Sequence, residues 1–310
     1  MIYPATRLIL VAAVAISASG QIPNPTGAIA GTGYLPRGPI FIAPGQVITI
    51  FTTGVPSPPT QPVFAGTGNL PTSLAGIGVT IVQEPEIPAR ILEVSSGICG
   101  FCGTITAITI QIPYELLPPV LNGPGGVGGL LVTENGVAGN GIEFLPVPDQ
   151  VHILTVCDTV IGVLNGPATG RCAWEVTHAN GSLVSNTNPA SAGEALTAYA
   201  VGLGATNPAV PTGQPATQPA ATAQTFRMGF NFQANAPPSA PPSVAPPPVY
   251  AGLTPNYPGL YQINFVVPSI PAGLPPCGSY QGTEFINTNL TVSVGGYSFD
   301  GVEICVSVPQ

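Results

Sequence analysis

The chain has no lysine, and its five arginines (Arg7, Arg37, Arg90, Arg171 and Arg227) stand apart from one another. Charged residues make up 6% of it, and the formal net charge is -8. Neutralising nucleic-acid phosphates takes clustered cations, so nucleic acid is excluded as a partner, and electrostatic docking on an anionic membrane is disfavoured for the same reason. Histidine is nearly as scarce. His152 and His178 are the only two, so a hydrolase triad has two candidate bases, and no Gly-x-Ser-x-Gly elbow supplies a nucleophile. Beyond the first twenty residues no apolar run is long enough to cross a bilayer as a helix.

Glycine and proline, in contrast, are abundant. The 39 of each interrupt the chain too often for long helices, while a 45% hydrophobic content over 310 residues suffices for two ordinary domains. At the N-terminus, Arg7, an apolar run over 8–16 and Ser17-Ala18-Ser19-Gly20 have the order of a secretory signal, with cleavage expected after Gly20. Export makes structural disulfides the expected state of six cysteines. Their order along the chain suggests local pairs, Cys99 with Cys102, Cys157 with Cys172 and Cys277 with Cys305.

Apolar and polar residues alternate with period two over 46–51, 78–82, 89–94, 104–112, 129–133, 194–201, 225–232, 261–267, 290–294 and 302–308, and these are read as strands. With no helical stretches between them, the expected fold is all-β, two tandem immunoglobulin-like β-sandwich modules after a signal peptide. The halves echo one another. Pro44-Gly45 and the strand it feeds parallel Ala192-Gly193 and its strand, 108–113 parallels 263–268, and 131–136 parallels 292–296. Three matches in the same order indicate a duplicated module whose loops have taken insertions. The expected division is a signal peptide over 1–20, a first module over 21–155 closed by a strand over 151–154, and a second module over 156–310. Two proline-rich stretches, 207–222 and 234–248, fall inside the second repeat and read as long loops. The second should project as a polyproline ribbon, offering a contact surface while adding little to the core.

Asn180-Gly181-Ser182-Leu183-Val184, Asn188-Pro189-Ala190, Gly193-Glu194, 200–204 and Pro211-Thr212-Gly213-Gln214-Pro215, then 250–255 and 259–264 reaching Val267-Pro268, resemble the Solibacter uncharacterised C-terminal domain family. The resemblance covers 180–308, and more weakly the first half through 43–45, 70–72 and 111–116. Thr109-Ile110-Gln111 stands where the second half has Gln262-Ile263-Asn264, and the proline insertion after Ala234 is a further departure. The resemblance implies a secreted bacterial immunoglobulin-like β-sandwich unit, and no catalytic residue, because the family has no established activity.

Each chemical motif has a plainer reading. Cys99-Gly100-Phe101-Cys102 has thiol-oxidoreductase spacing, but a reactive cysteine needs a helix N-terminus and here a β-branched strand follows, so a structural turn disulfide is favoured. Cys157 and Cys172 are too far apart to complete a zinc knuckle. Glu84 and Glu86 read as a solvated loop. Asp149, Asp158 and Asp300 lack the alternate-position spacing of a calcium loop, so no metal site and no cofactor are expected. The glycan-acceptor patterns at Asn180 and Asn289 would be coincidental given the bacterial origin that the resemblance implies. On the strand over 302–308, alternation places Cys305 outward with Glu303 and Ser307, where it should clip a surface loop holding Cys277.

The leading reading is a non-catalytic secreted or cell-surface structural or adhesion protein, its partner an envelope protein or polysaccharide. The alternative is an extracellular carbohydrate-binding module. That needs a groove of exposed aromatics, with Tyr250, Tyr257, Tyr280 and Tyr297 as candidates, while Tyr261 faces inward by its alternation. A hydrolase would need His152 or His178 beside a serine or an acid in a pocket.

Overall fold

The computed structural model describes residues 22–30, 34–66, 68–99, 103–118, 127–156, 158, 172–233, 241–280, 283–296 and 298–308. Among them there is no helix. In the first module one sheet runs, edge to edge, β2 (Tyr34–Pro36), β1 (Asn24–Ile29), β4 (Val47–Thr53), β10 (Gly103–Gln111), β9 (Arg90–Cys99) and β5 (Val63–Phe64). The facing sheet runs β3 (Ile40–Ile42), β12 (Val137–Pro146), β11 (Gly128–Glu134), β7 (Ile77–Val82) and β6 (Ser73–Leu74), with β8 (Ile87–Pro88) paired to β7. Alternation decides which side chains meet between them. Ile48, Ile50, Ile91, Ile108 and Ile110 turn inward from one sheet to meet Ile77, Val79, Ile81, Leu130, Val132 and Phe144 from the other.

The second module repeats this plan. One sheet runs β13 (His152–Ile153), β15 (Ala195–Val201), β20 (Tyr261–Val266), β19 (Tyr250–Leu253), β17 (Ala221–Thr222) and β16 (Thr206–Asn207), with β14 (Val176–His178) also on β15. The other runs β18 (Phe226–Asn231), β23 (Thr288–Val294) and β24 (Ser298–Ile304), and β21 (Gly278–Tyr280) pairs with β22 (Thr283–Phe285) apart from both. Phe230 and Phe265 meet edge to face between the sheets, 5.8 Å centroid to centroid, among Leu196, Ile263, Leu290 and Val302.

In chain order the main strands of the first module fall into immunoglobulin positions. β1, β4, β10 and β9 are A, B, E and D, while β7, β11 and β12 are C, F and G. The second module places β13, β15, β20 and β19 against β18, β23 and β24 in the same way. In both, a short segment after the first strand runs parallel to G, β3 on β12 and Ala190 on Val306. The sequence echoes therefore join equivalent strands, β4 with β15 at B, β10 with β20 at E and β11 with β23 at F.

Four expectations change. The strand over 151–154, expected to close the first module, pairs with β15, and Val151 and Ile153 lie in the second core. The last strand spans Ser298–Ile304 rather than 302–308, because Cys305 and Ser307 bond instead to Ala190. The two ends of the stretch 207–222 join the sheet, Asn207 in the edge strand β16 and Ala221–Thr222 as β17 between β16 and β19. Finally, 241–244 does not project. Phe230 and Val244 exchange backbone hydrogen bonds, Asn231 Nδ2 donates to the Pro241 carbonyl, and a Cβ on Gly229 would meet Pro242 at 2.5 Å. The proline segment thus covers the open edge of β18, where an unpaired strand would invite pairing with another chain.

Candidate functional site

The histidines show what the sandwich does with its few charges. β13 carries His152 into the second module's interior, where β24 supplies Asp300 and the turn after β13 supplies Asp158. His152 Nδ1 lies 3.1 Å from Asp300 Oδ2 and Nε2 lies 3.1 Å from Asp158 Oδ2. Both partners are acceptors, so both ring nitrogens carry protons and the ring is an imidazolium. Burial pulls its pKa down, but the hydrogen bonds and charges of the two aspartates outweigh burial and raise it to about 9. His178 is held alike, by Glu194 Oε1 at 2.5 Å and the Asn188 carbonyl at 3.1 Å. Neither ring has a nitrogen free to accept a proton from a nucleophile. The aspartates that looked scattered in sequence are gathered here, Asp158 and Asp300 on His152, and Asp149 on the N–H and hydroxyl of Ser298.

Of the tyrosines, Tyr257 is 61% exposed. Tyr250 is half-buried and its hydroxyl is committed, accepting from Ala220 N–H at 3.1 Å and donating to the Leu253 carbonyl at 3.0 Å. The side chain of Tyr280 and residue Tyr297 lie outside the described residues. Tyr261 is fully buried, as its alternation implied. Among the cysteines, Cys277 and Cys305 are bonded, with Cα atoms 6.0 Å apart, and Cys172 is in a disulfide. The side chain of Cys99 and residues Cys102 and Cys157 lie outside the described residues. Cys305 itself is 2% exposed, so this bridge closes over the core rather than clipping a surface loop.

The most developed polar constellation is the junction between the modules. The turn over 211–215 plugs into the end of the first sandwich. Gly213 N–H donates to Gln111 Oε1 at 2.8 Å and its carbonyl accepts from Leu70 N–H at 2.8 Å. Thr212 Oγ1 accepts from Tyr114 N–H at 2.9 Å and donates to Glu115 Oε2 at 2.6 Å. Behind it, the Tyr261 hydroxyl donates to the Gly204 carbonyl at 2.5 Å, so at the 3.2 Å contact with Tyr114 it is Tyr114 that donates. Burial raises both phenols' pKa values and keeps this relay uncharged. Two glycines make the fit possible. Gly213 (φ +79°) and Gly259 (φ +73°) adopt left-handed conformations, and a Cβ would approach Arg90 Cγ at 2.8 Å and Val47 Cγ2 at 2.6 Å respectively. In the sequence 211–215 reads as part of the long loop over 207–222 and as one of the stretches that carry the family resemblance, and neither reading sets it against the first module.

Gly213→Val is expected to loosen this junction, with a cost of about 2 kcal/mol or more from the left-handed backbone and the collision with Arg90. Gly193→Val is the control, since Gly193 has nearly the same φ (+78°) with nothing within 4 Å of its Cβ position. Solution scattering should show a larger radius of gyration for Gly213→Val alone. Equal profiles would mean that the plug does not set the module arrangement.

The strand order defines the class, a tandem immunoglobulin-like β-sandwich protein. No protein-family model matches the chain, and no curated protein matches it. Among solved structures, bovine butyrophilin is similar over 91% of this chain and 98% of its own, at 10% identity and a TM-score of 0.20. Among the described residues no helix is long and apolar enough to cross a membrane.

Proposed function

We propose that the protein is an exported, non-catalytic adhesion or structural element whose two immunoglobulin-like modules act as one spacer. The carrying observation is the junction, where backbone and side chains of both modules interlock around Gly213. A flexible tandem would need no such fit, whereas an element that presents a surface at a fixed distance does. Two further observations support the reading. Both imidazoles are saturated by acceptors, which leaves no general base among them, and the Cys277–Cys305 bridge suits an oxidising compartment. The stretches that carry the Solibacter-family resemblance include 211–215 and 259–261, which form the plug and its backing, so kinship with that family is part of the proposal.

Expression in a bacterial host with fractionation tests this. The chain is expected outside the cytoplasm, starting at Gln21 by N-terminal mass spectrometry, and bound to envelope or polysaccharide in a pull-down. Intact Met1 on soluble extracellular chain overturns the cleavage, and a wholly cytoplasmic chain overturns export. Hydrolysis of an ester, peptide or glycoside that is lost in His152→Ala or His178→Ala would overturn the non-catalytic reading.

A further inference from the structure

Outside the junction, one concavity stands out in its chemistry. It is a cleft of about 440 Å³ on the outer face of the first module's second sheet, where β6 and β7 meet the β11–β12 turn. Strand alternation points Ile77, Val79 and Ile81 into the core, and so turns Gly78 and Thr80 outward beside Thr133 of β11. Thr72, Ser73, Thr80, Thr133 and Asn135 line the cleft, and among the described residues none of these five side chains makes a hydrogen bond. Gly76 and Gly78 leave them room. A Cβ on Gly76 would come within 2.5 Å of Asn135 Oδ1, and one on Gly78 within 2.8 Å of Thr133 Oγ1. Ala75 (φ 51°) and Asn135 (φ 47°), both non-glycine residues in left-handed conformation, hold the two adjoining turns, and Asn135 N–H donates to the Gly76 carbonyl at 2.8 Å.

We infer that this cleft binds an uncharged polyhydroxylated ligand, a neutral sugar unit of an oligosaccharide or polysaccharide. Its lining has four hydroxyls and an amide, each able to donate and accept, which matches the alternating donor and acceptor capacity of sugar hydroxyls. Among the described residues no charged side chain lines it, and nearby Glu134 is buried and accepts from Ser57 N–H, so neither an anion nor a cation finds a counter-charge there. Its size is within the range of small-ligand sites, and its polar lining offers little to an apolar guest. The inference rests on the adhesive reading only in naming what is held. Its site differs from the tyrosines proposed from sequence, because no tyrosine lines it.

Titration calorimetry and amide chemical-shift mapping on the full chain, with neutral hexasaccharides of glucose, mannose and N-acetylglucosamine and with hexagalacturonate as the acidic comparison, test this. The double variant Thr80→Val, Thr133→Val removes two hydroxyls while keeping β-branched side chains on an exposed face, so folding is preserved. The expected result is saturable binding of a neutral hexasaccharide, with shifts centred on Thr80, Thr133 and Asn135, weakened at least about tenfold in the double variant and unchanged in Tyr257→Ala. Binding lost in Tyr257→Ala but kept in the double variant overturns the assignment in favour of the aromatic surface. Preference for hexagalacturonate, or no binding to any neutral member, overturns it outright. If the double variant still attaches to polysaccharide or envelope, adhesion stands and the cleft does not.

Discussion

His152→Ala is expected to lower the unfolding free energy by about 3–5 kcal/mol, because it leaves two carboxylates facing each other with their shared cation gone. His152 is 5% exposed and ties three segments together, β13 through its own backbone, β24 through Asp300, and the following turn through Asp158. Asp158 also accepts from the N–H and hydroxyl of Thr155, and Asp300 from the N–H groups of Ile153 and Gly301. The aspartates are thus positioned independently and stay close when the ring is removed. Asp300→Asn should cost less, about 1–2 kcal/mol, since an amide oxygen still accepts from the backbone.

The same cluster gives a pH signature. A histidine whose folded pKa lies above its ordinary 6.5 contributes stability that is complete below about pH 6.5 and is lost as pH rises through about 9. Burial pushes the Asp158 carboxyl up, but His152 and the Thr155 donors bring it below its ordinary 3.8, so its contribution is present above 3.8 and lost as pH falls through the lower folded value. Melting temperature against pH should therefore show a plateau with an alkaline fall between about pH 7 and 9. Few groups compete in that window. The chain has no lysine, no described cysteine is free, and the junction phenols titrate above their ordinary 10. His178 shifts in the same direction, first lowered by burial and then raised more by Glu194. Comparison of His152→Ala with His178→Ala separates the two. An alkaline fall that survives in His152→Ala undiminished would show that the ring is not the titrating group.

How much of this was legible in the sequence depends on whether the signal is local. Strands are local, since period-two alternation over 46–51 or 261–267 is a property of neighbouring residues, and it correctly turned Tyr261 inward. The weaker strands lacked that signal. Asn24–Ile29 carries a proline and a glycine, and Val137–Pro146 begins with two glycines in its first five residues, so their pairing comes from the sheet that receives them. The sites are non-local. His152 and Asp300 meet because the first and last strands of an immunoglobulin sandwich are neighbours in space, and no spacing rule announces it. Gly213 reads as one turn glycine among many until the first module's Gln111 and Leu70 are placed against it. Alternation misled at Cys305, where a strand expected to continue had already ended.

Removing the Cys277–Cys305 bridge is the other change expected to have a large effect. The bridge joins residues 28 apart, for which the chain-entropy model gives about 3.5 kcal/mol through restriction of the unfolded chain. Because Cys305 is buried beside Val306, the native state also loses contacts, and a double variant Cys277→Ser, Cys305→Ala should lie in the range of about 2–5 kcal/mol. The bridge is not the only hold on this segment. Asn287, itself fully buried, donates to the carbonyls of Val306 and Pro275 and accepts from Val306 N–H, while Ala190 bonds Cys305 and Ser307 on the other side. These contacts exist only in the folded chain, whereas the disulfide acts mainly on the unfolded one, so denaturant unfolding distinguishes them. Loss of the bridge should lower the midpoint and steepen the denaturant dependence, because the unfolded chain expands and exposes more surface. Asn287→Ala should lower the midpoint with the slope unchanged, since it leaves buried backbone groups without partners only in the native state. If the double cysteine variant instead loses less than about 1 kcal/mol at unchanged slope, the Asn287 and Ala190 contacts hold the tail and the bridge is dispensable.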